Sequence, residues 1–220
     1  MSNAWMQTYM GLKFDIIDLE KNNISIQDIA HALSNICRFT GHTKNFYSVA
    51  QHSVLASRYA PAEYKLSALL HDATEAYIND LSSPIKTILP SYCHLEDQIY
   101  QKLIAKTFNL PSEIPQKVKE IDLKLLITEK RDLLKTTNIK WSEYFNNIEP
   151  YEKKIRPWGH KKSENIFLKT FYQICFKKII NLKLKNLKNT KQKGEQNGIH
   201  KHLRIQSFDK FQNEKLKRTQ

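Results

Sequence analysis

From residue 24 onward, apolar residues recur at intervals of three and four along most of this chain, the period of an α-helix with one face turned to a core. In ISIQDIAHALSNICRF the row Ile26, Ile29, Ala30, Leu33 and Ile36 or Cys37 follows Ser25, whose hydroxyl suits an N-cap, so a helix is predicted there. GHTKNF breaks the period with a glycine, and YSVAQHSVLASRYA resumes it through Val49, Ser53 and Ala56, with His52 beside them. Pro61 stands where a first helical turn tolerates proline, and Leu66, Leu69, Leu70, Ala73 and Tyr77 carry a single helix up to Asn79. Ser82, Ser83 and Pro84 read as a loop. SYCHLEDQIYQKLIAKTFNL and SEIPQKVKEIDLKLLITEKRDLL read as two longer helices, and a last one runs roughly from Ser163 to Leu184. Alternation suited to strands is confined to a short ribbon near Thr8 to Ile16, and no internal repeat is present. The predicted fold class is all-α.

Composition agrees and adds two boundaries. A chain of 220 residues with 40% apolar residues, five Gly and seven Pro suits one globular domain with some length to spare. The period weakens near Asn186, which divides the chain into a domain over residues 1–185 and a basic tail over 186–220. That tail is too poor in apolar residues to offset its ordering entropy and is predicted to be disordered. No uncharged apolar run approaches the roughly 20 residues that span a bilayer, and the N-terminus lacks a basic segment followed by an apolar one, so a cytoplasmic location is predicted. Cys37, Cys93 and Cys175 are widely spaced and form no CxxC pair, which reads as buried thiols rather than a disulfide or zinc framework.

The formal net charge of +13 is unevenly placed: residues 177–220 supply +10 of it. The body therefore lacks the concentrated basicity of a globular nucleic-acid-binding domain. Contact of the tail with nucleic acid or an anionic surface is the weaker alternative to a solvated tail.

Polarity collects where the core should be. ALLHDATEAYINDLSSPIK sets His71 and Asp72 directly after an apolar run and follows them with Glu75 and Asp80. His52 lies in a stripe of small and apolar residues, and Asp122 interrupts the row Val118, Leu125, Leu126 and Leu133. A carboxylate facing a core is costly unless it is paired or bound to a cation. A lone His-Asp pair is common by chance, and each residue alone has an ordinary reading: a satisfied core histidine for His52, a lysine partner for Asp122, helix-surface charge for Glu75 and Asp80. Together, two imidazoles and two carboxylates brought in by three helices suit a borderline divalent ion such as Zn, Mn, Fe or Co.

The order His52, His71-Asp72, Asp122 resembles the H…HD…D pattern of the HD-domain metal-dependent phosphohydrolases. ICRFTGHTKNFYSVAQHSVLASRYA followed by ALLHDATEAYINDLSSPIK is similar to the branch containing bacterial 5′-deoxynucleotidases and phage-type dATP triphosphohydrolases, over about residues 5 to 135. The resemblance implies a helical HD bundle with a central metal site, one divalent ion (Co, Mn, Zn or Fe) on His52, His71, Asp72 and Asp122, and often a homodimer. It further implies substrate phosphate on Arg38, added phosphate charge from Lys86, and catalytic carboxylates at Glu75 and Asp80. The implied reaction is metal-dependent hydrolysis of a nucleotide, foremost 5′-deoxynucleotidase action on deoxyribonucleoside monophosphates. Triphosphate hydrolysis is the alternative within that class. A non-catalytic, metal-stabilised module and a nucleic-acid-binding module are the alternatives outside it. A purine could stack on Phe39, Phe46, Tyr47 or Tyr77, although aromatics at such spacings more often pack a core. One departure is Gln51, where the deoxynucleotidases carry a glutamate before the first histidine, and it bears on substrate choice.

Overall fold

A computed structural model describes residues 4–139, 141, 145 and 147–194. The chain divides into two units, residues 1–176 and 177–220. In the first, a two-stranded antiparallel ribbon, β1 (Trp5–Gln7) and β2 (Lys13–Asp15), pairs Met6 with Phe14 and precedes the helices. These are α1 (Ile26–Asn35), α2 (Val49–Tyr59), α3 (Lys65–Leu69), α4 (Glu75–Ile78), α5 (Ser83–Lys86), α6 (Pro90–Ile99), α7 (Lys106–Phe108) and α8 (Gln116–Leu133), with α9 spanning His160–Gly194. The protein is mostly helical, as the apolar period predicts.

Caps fix where α1 and α2 begin. Ser25 accepts a hydrogen bond from the Asp28 amide, and Ser48 accepts one from the Gln51 amide. Helix α2 packs against α1, α3 and α8, which makes it the central support of this unit. Ile29 and Leu33 of α1, Val54 of α2, Leu69, Ile99, Ile104 and Phe167 are buried in one cluster, while Ala56, Val118 and Leu125 join a smaller one between α2 and α8.

Several boundaries differ from the sequence reading. The helix predicted to run to Asn79 stops at Leu69 and restarts at Glu75, with residues 70–74 in turns. The cause is local: His71 Nδ1 bonds the Ala68 carbonyl at 2.9 Å, and the amides of Ala73, Glu75 and Tyr77 reach back only three residues. Ser83 and Pro84 open the short helix α5, with proline in the first turn, instead of lying in a loop. Between α6 and α7 the helix widens to a π-type turn over Tyr100–Ala105. The last helix begins at His160 and is described through Gly194, past Leu184 and into the segment predicted to be disordered. The rest of that tail, residues 195–220, lies outside the described residues. Cys37, Cys93 and Cys175 are half-buried rather than buried. Among the described residues, no helix is long and apolar enough to cross a membrane.

The departure at Gln51 has a structural basis. This fully buried amide donates to the Arg156 carbonyl at 2.8 Å and accepts from the Trp158 amide at 2.7 Å, tying residues 156–158 to α2. A carboxylate could accept but not donate. Gln51→Glu should therefore lower stability by about 1–3 kcal/mol in urea unfolding, because it removes the donor to the Arg156 carbonyl and buries a charge. An unchanged midpoint would show that the tie contributes nothing.

Candidate metal centre

His52 projects from the end of the first turn of α2, His71 and Asp72 from the turn after α3, and Asp122 from the second turn of α8. The group thus comes from two helices and a turn, not from three helices. His52 and His71 are buried; Asp72 and Asp122 remain partly open to a cleft.

Each imidazole is fixed through Nδ1. His71 Nδ1 donates to the Ala68 carbonyl, and His52 Nδ1 bonds Glu129 Oε1 at 2.6 Å. The two Nε2 atoms then face one another at 3.2 Å. Asp122 Oδ1 stands 3.0 Å from His52 Nε2 and 3.8 Å from His71 Nε2. Asp72 Oδ1 lies 3.2 Å from His71 Nε2, and its Oδ2 lies 3.5 Å from His52 Nε2.

Two ring nitrogens whose lone pairs meet beside two carboxylates need a cation. A proton is one solution: burial and the Arg38 charge push the His52 imidazole down, but Glu129 and Asp122 prevail and raise it from 6.5 to about 10. Burial disfavours ionised Asp122, yet its hydrogen bonds to His52 and His71 hold it well below the usual carboxylate range. One proton satisfies His52 and Asp122 while Asp72 Oδ2, buried, accepts no hydrogen bond. A divalent ion offers a partner to all four groups. Neighbouring donors around an ion with bonds of about 2.0–2.2 Å lie about 2.8–3.6 Å apart. Four of the five separations above fall in that range, and the 3.8 Å between His71 and Asp122 is slightly beyond it. One donor atom from each of His52, His71 and Asp72 lies within 4.8 Å of the others, so this group could hold a metal ion.

Glu129, absent from the sequence reading, organises the back of the site. It is fully buried, and besides His52 it accepts from the Tyr47 hydroxyl at 2.8 Å and pairs with Arg38 Nη2 at 3.2 Å. Burial opposes its charge, but Arg38 and His52 hold its carboxyl below the usual value. The available signal was its position seven residues after Asp122, two turns along the same face of α8.

Arg38 also pairs with Asp72 Oδ2, at 3.5 Å, while its Nε is buried without a partner. It lies three residues after the end of α1 and precedes Phe39 and Thr40, both in left-handed backbone at φ 55° and 51°. Consecutive non-glycine residues in that region carry strain that the surroundings must hold. Phe39 lines a cleft of about 510 Å³ with Arg38, Asp72, Glu75, Asp80 and Asp122. Of the other aromatic candidates, Tyr47 and Tyr77 belong to the core, Tyr77 stacked on Phe14.

Glu75 is buried with Oε2 unpartnered; burial, then Asp72 and Asp80, push its carboxyl well above the usual range. Asp80 is raised less, chiefly by burial, which Arg38 counters. It follows Asn79, whose φ of 72° is held by the Tyr92 hydroxyl donating to the Asn79 carbonyl at 2.6 Å. Lys86 lines the cleft, but its charge is already engaged by both Glu96 oxygens at 2.8 and 3.0 Å.

No family model matches the chain. It is 34% identical over 129 residues to an uncharacterized protein of Rhodobacter capsulatus, covering 54% of this chain and 65% of that one. It is 46% identical over 130 residues to the uncharacterized protein YfdR of Escherichia coli (strain K12), covering 59% of this chain and 72% of YfdR. Likeness at that level across most of the relative's length places this chain in the family of YfdR.

Proposed function

We propose that this protein is an HD-type helical bundle acting as a metal-dependent nucleotide phosphohydrolase, with 5′-deoxynucleotidase action on deoxyribonucleoside monophosphates as the leading reaction. The observation that carries the reading is the pair of Nε2 atoms, 3.2 Å apart, meeting Asp72 and Asp122, two carboxylates that line an open cleft. His52, His71, Asp72 and Asp122 would hold one divalent ion of the Co, Mn, Zn or Fe class. Such an ion supplies Lewis acidity toward a phosphoryl group and makes hydroxide available near neutral pH.

The remaining work falls to side chains around the cleft. Arg38, locked between Asp72 and Glu129, presents a guanidinium aimed by its neighbours toward equatorial phosphoryl oxygens. Burial and two nearby carboxylates disfavour the charge of Glu75 and push its carboxyl well above the usual range, the direction that suits a donor to the leaving oxygen. Asp80, more open and nearer its ordinary range, suits water placement and proton acceptance. Lys86 acts through Glu96 and contributes less phosphate charge than an unpaired lysine would.

The direct test is hydrolysis of deoxy- and ribonucleoside mono- and triphosphates by EDTA-stripped protein reloaded with Mn, Co, Zn or Mg. Nucleoside and phosphate from monophosphates are expected; nucleoside and tripolyphosphate would instead assign a triphosphohydrolase. Asp72→Ala should lose metal and turnover while keeping its helical circular dichroism, and full metal-dependent turnover in that variant would refute the assignment.

Metal binding should also compete with protons. His52 carries a proton below about pH 10 and must release it to offer Nε2, so affinity should rise with pH and each ion should displace a proton at pH 7. Calorimetry in buffers of different ionisation enthalpy reads that proton directly; a pH-independent constant would place the ion elsewhere. Glu129→Gln keeps an acceptor for His52 Nδ1 but removes the charge, and should weaken metal binding about 10–100-fold.

A further inference from the structure

A second cleft, of about 580 Å³, shares no residue with the candidate metal group. Arg58, Lys153, Lys154 and Arg156 line it together with Tyr59 and Trp158, and none of its lining residues is a carboxylate. Four cations around one concavity repel each other, and an anion relieves that repulsion. Asp132 is not among the lining residues; it attracts Lys154, but its side chain is buried and its oxygens are already engaged by Arg131 at 2.8 and 2.9 Å and by the Ile155 amide at 2.8 Å.

The cleft is built rather than incidental. Its wall over residues 151–158 is tied to α8 by the Tyr151 amide on Thr128 Oγ1, and to α2 by both ends of the Gln51 amide. Tyr59 is held flat against Tyr151, with ring centres 3.6 Å apart. Trp158 is half-buried, with the Arg58 guanidinium carbon 5.2 Å from its ring centre and Lys162 Nζ at 5.8 Å. Rigid aromatic walls among cations match a ligand that joins a flat ring to phosphate, since rings stack on aromatic and guanidinium planes while phosphates take arginine and lysine. The volume also lies within the usual range for small-molecule sites, about 300–1,000 Å³.

We propose that this cleft binds a nucleoside phosphate, with phosphate on Lys153, Lys154 and Arg156 and the base against Trp158 and Arg58. The same chemistry is offered by a free nucleotide and by one unit of a single strand. The proposal does not depend on the metal reading.

The test is calorimetric titration of the full chain, metal-stripped and carrying Arg38→Ala to silence the first cleft, with ATP, tripolyphosphate and a short oligothymidylate. ATP should bind, and Lys153→Glu with Lys154→Glu, two exposed positions whose reversal should leave the circular dichroism unchanged, should weaken it at least about tenfold. Trp158→Leu should weaken ATP and leave tripolyphosphate unaffected. Tighter oligothymidylate binding, lost in the same double reversal, would support the proposal with a strand as the source. ATP affinity indifferent to the reversal, tripolyphosphate binding as tightly as ATP, or no ATP binding would each overturn it.

Discussion

The bond between His52 Nδ1 and the buried Glu129 carboxylate governs the arrangement around it. It fixes which nitrogen of His52 faces His71, and it places a negative charge where Arg38 and Tyr47 converge. Burying an ionised carboxylate among apolar helices is costly, and here three donors from three parts of the chain meet that cost. The same contacts lock α8 to α2 and to the segment after α1, so the polar cluster is also a fastening between secondary elements.

Around that fastening the backbone departs from regular structure at a few points, each beside a polar side chain in the cleft. The helix breaks at His71, whose own ring takes the Ala68 carbonyl. Phe39, Thr40 and Asn79 adopt left-handed or related conformations next to Arg38 and Asp80. Such geometry persists only where neighbouring packing holds it, and the central position of α2, against α1, α3 and α8, supplies that rigidity.

Residues 151–158 have a different role. Tyr151 and Trp158 pack against the apolar clusters, and hydrogen bonds from the segment's backbone to Gln51, Thr128, Arg131 and Asp132 hold it to the helices. Gln51 shows how a single change from carboxylate to amide gains a donor, and with it a second tie. A position that the resemblance connects with substrate choice is here occupied in holding a wall of the basic cleft.

Helical character, the cap at Ser25, a short ribbon near the N-terminus and the polar group His52, His71, Asp72 and Asp122 were legible in the sequence. Apolar period, capping chemistry and the cost of polarity at core positions are local properties that one chain displays. The break at His71, the bond from Gln51 to residues 156–158 and the role of Glu129 were not legible, because each depends on a partner distant in sequence. Glu129 alone reads as one more helix-surface charge, and only the packing of α8 on α2 turns it inward and brings His52, Tyr47 and Arg38 within reach. The sequence by itself determined which residue types and helical faces were present; tertiary structure decided which polar atoms meet, because hydrogen bonds and ion pairs depend on separations of a few ångströms that no spacing along the chain specifies.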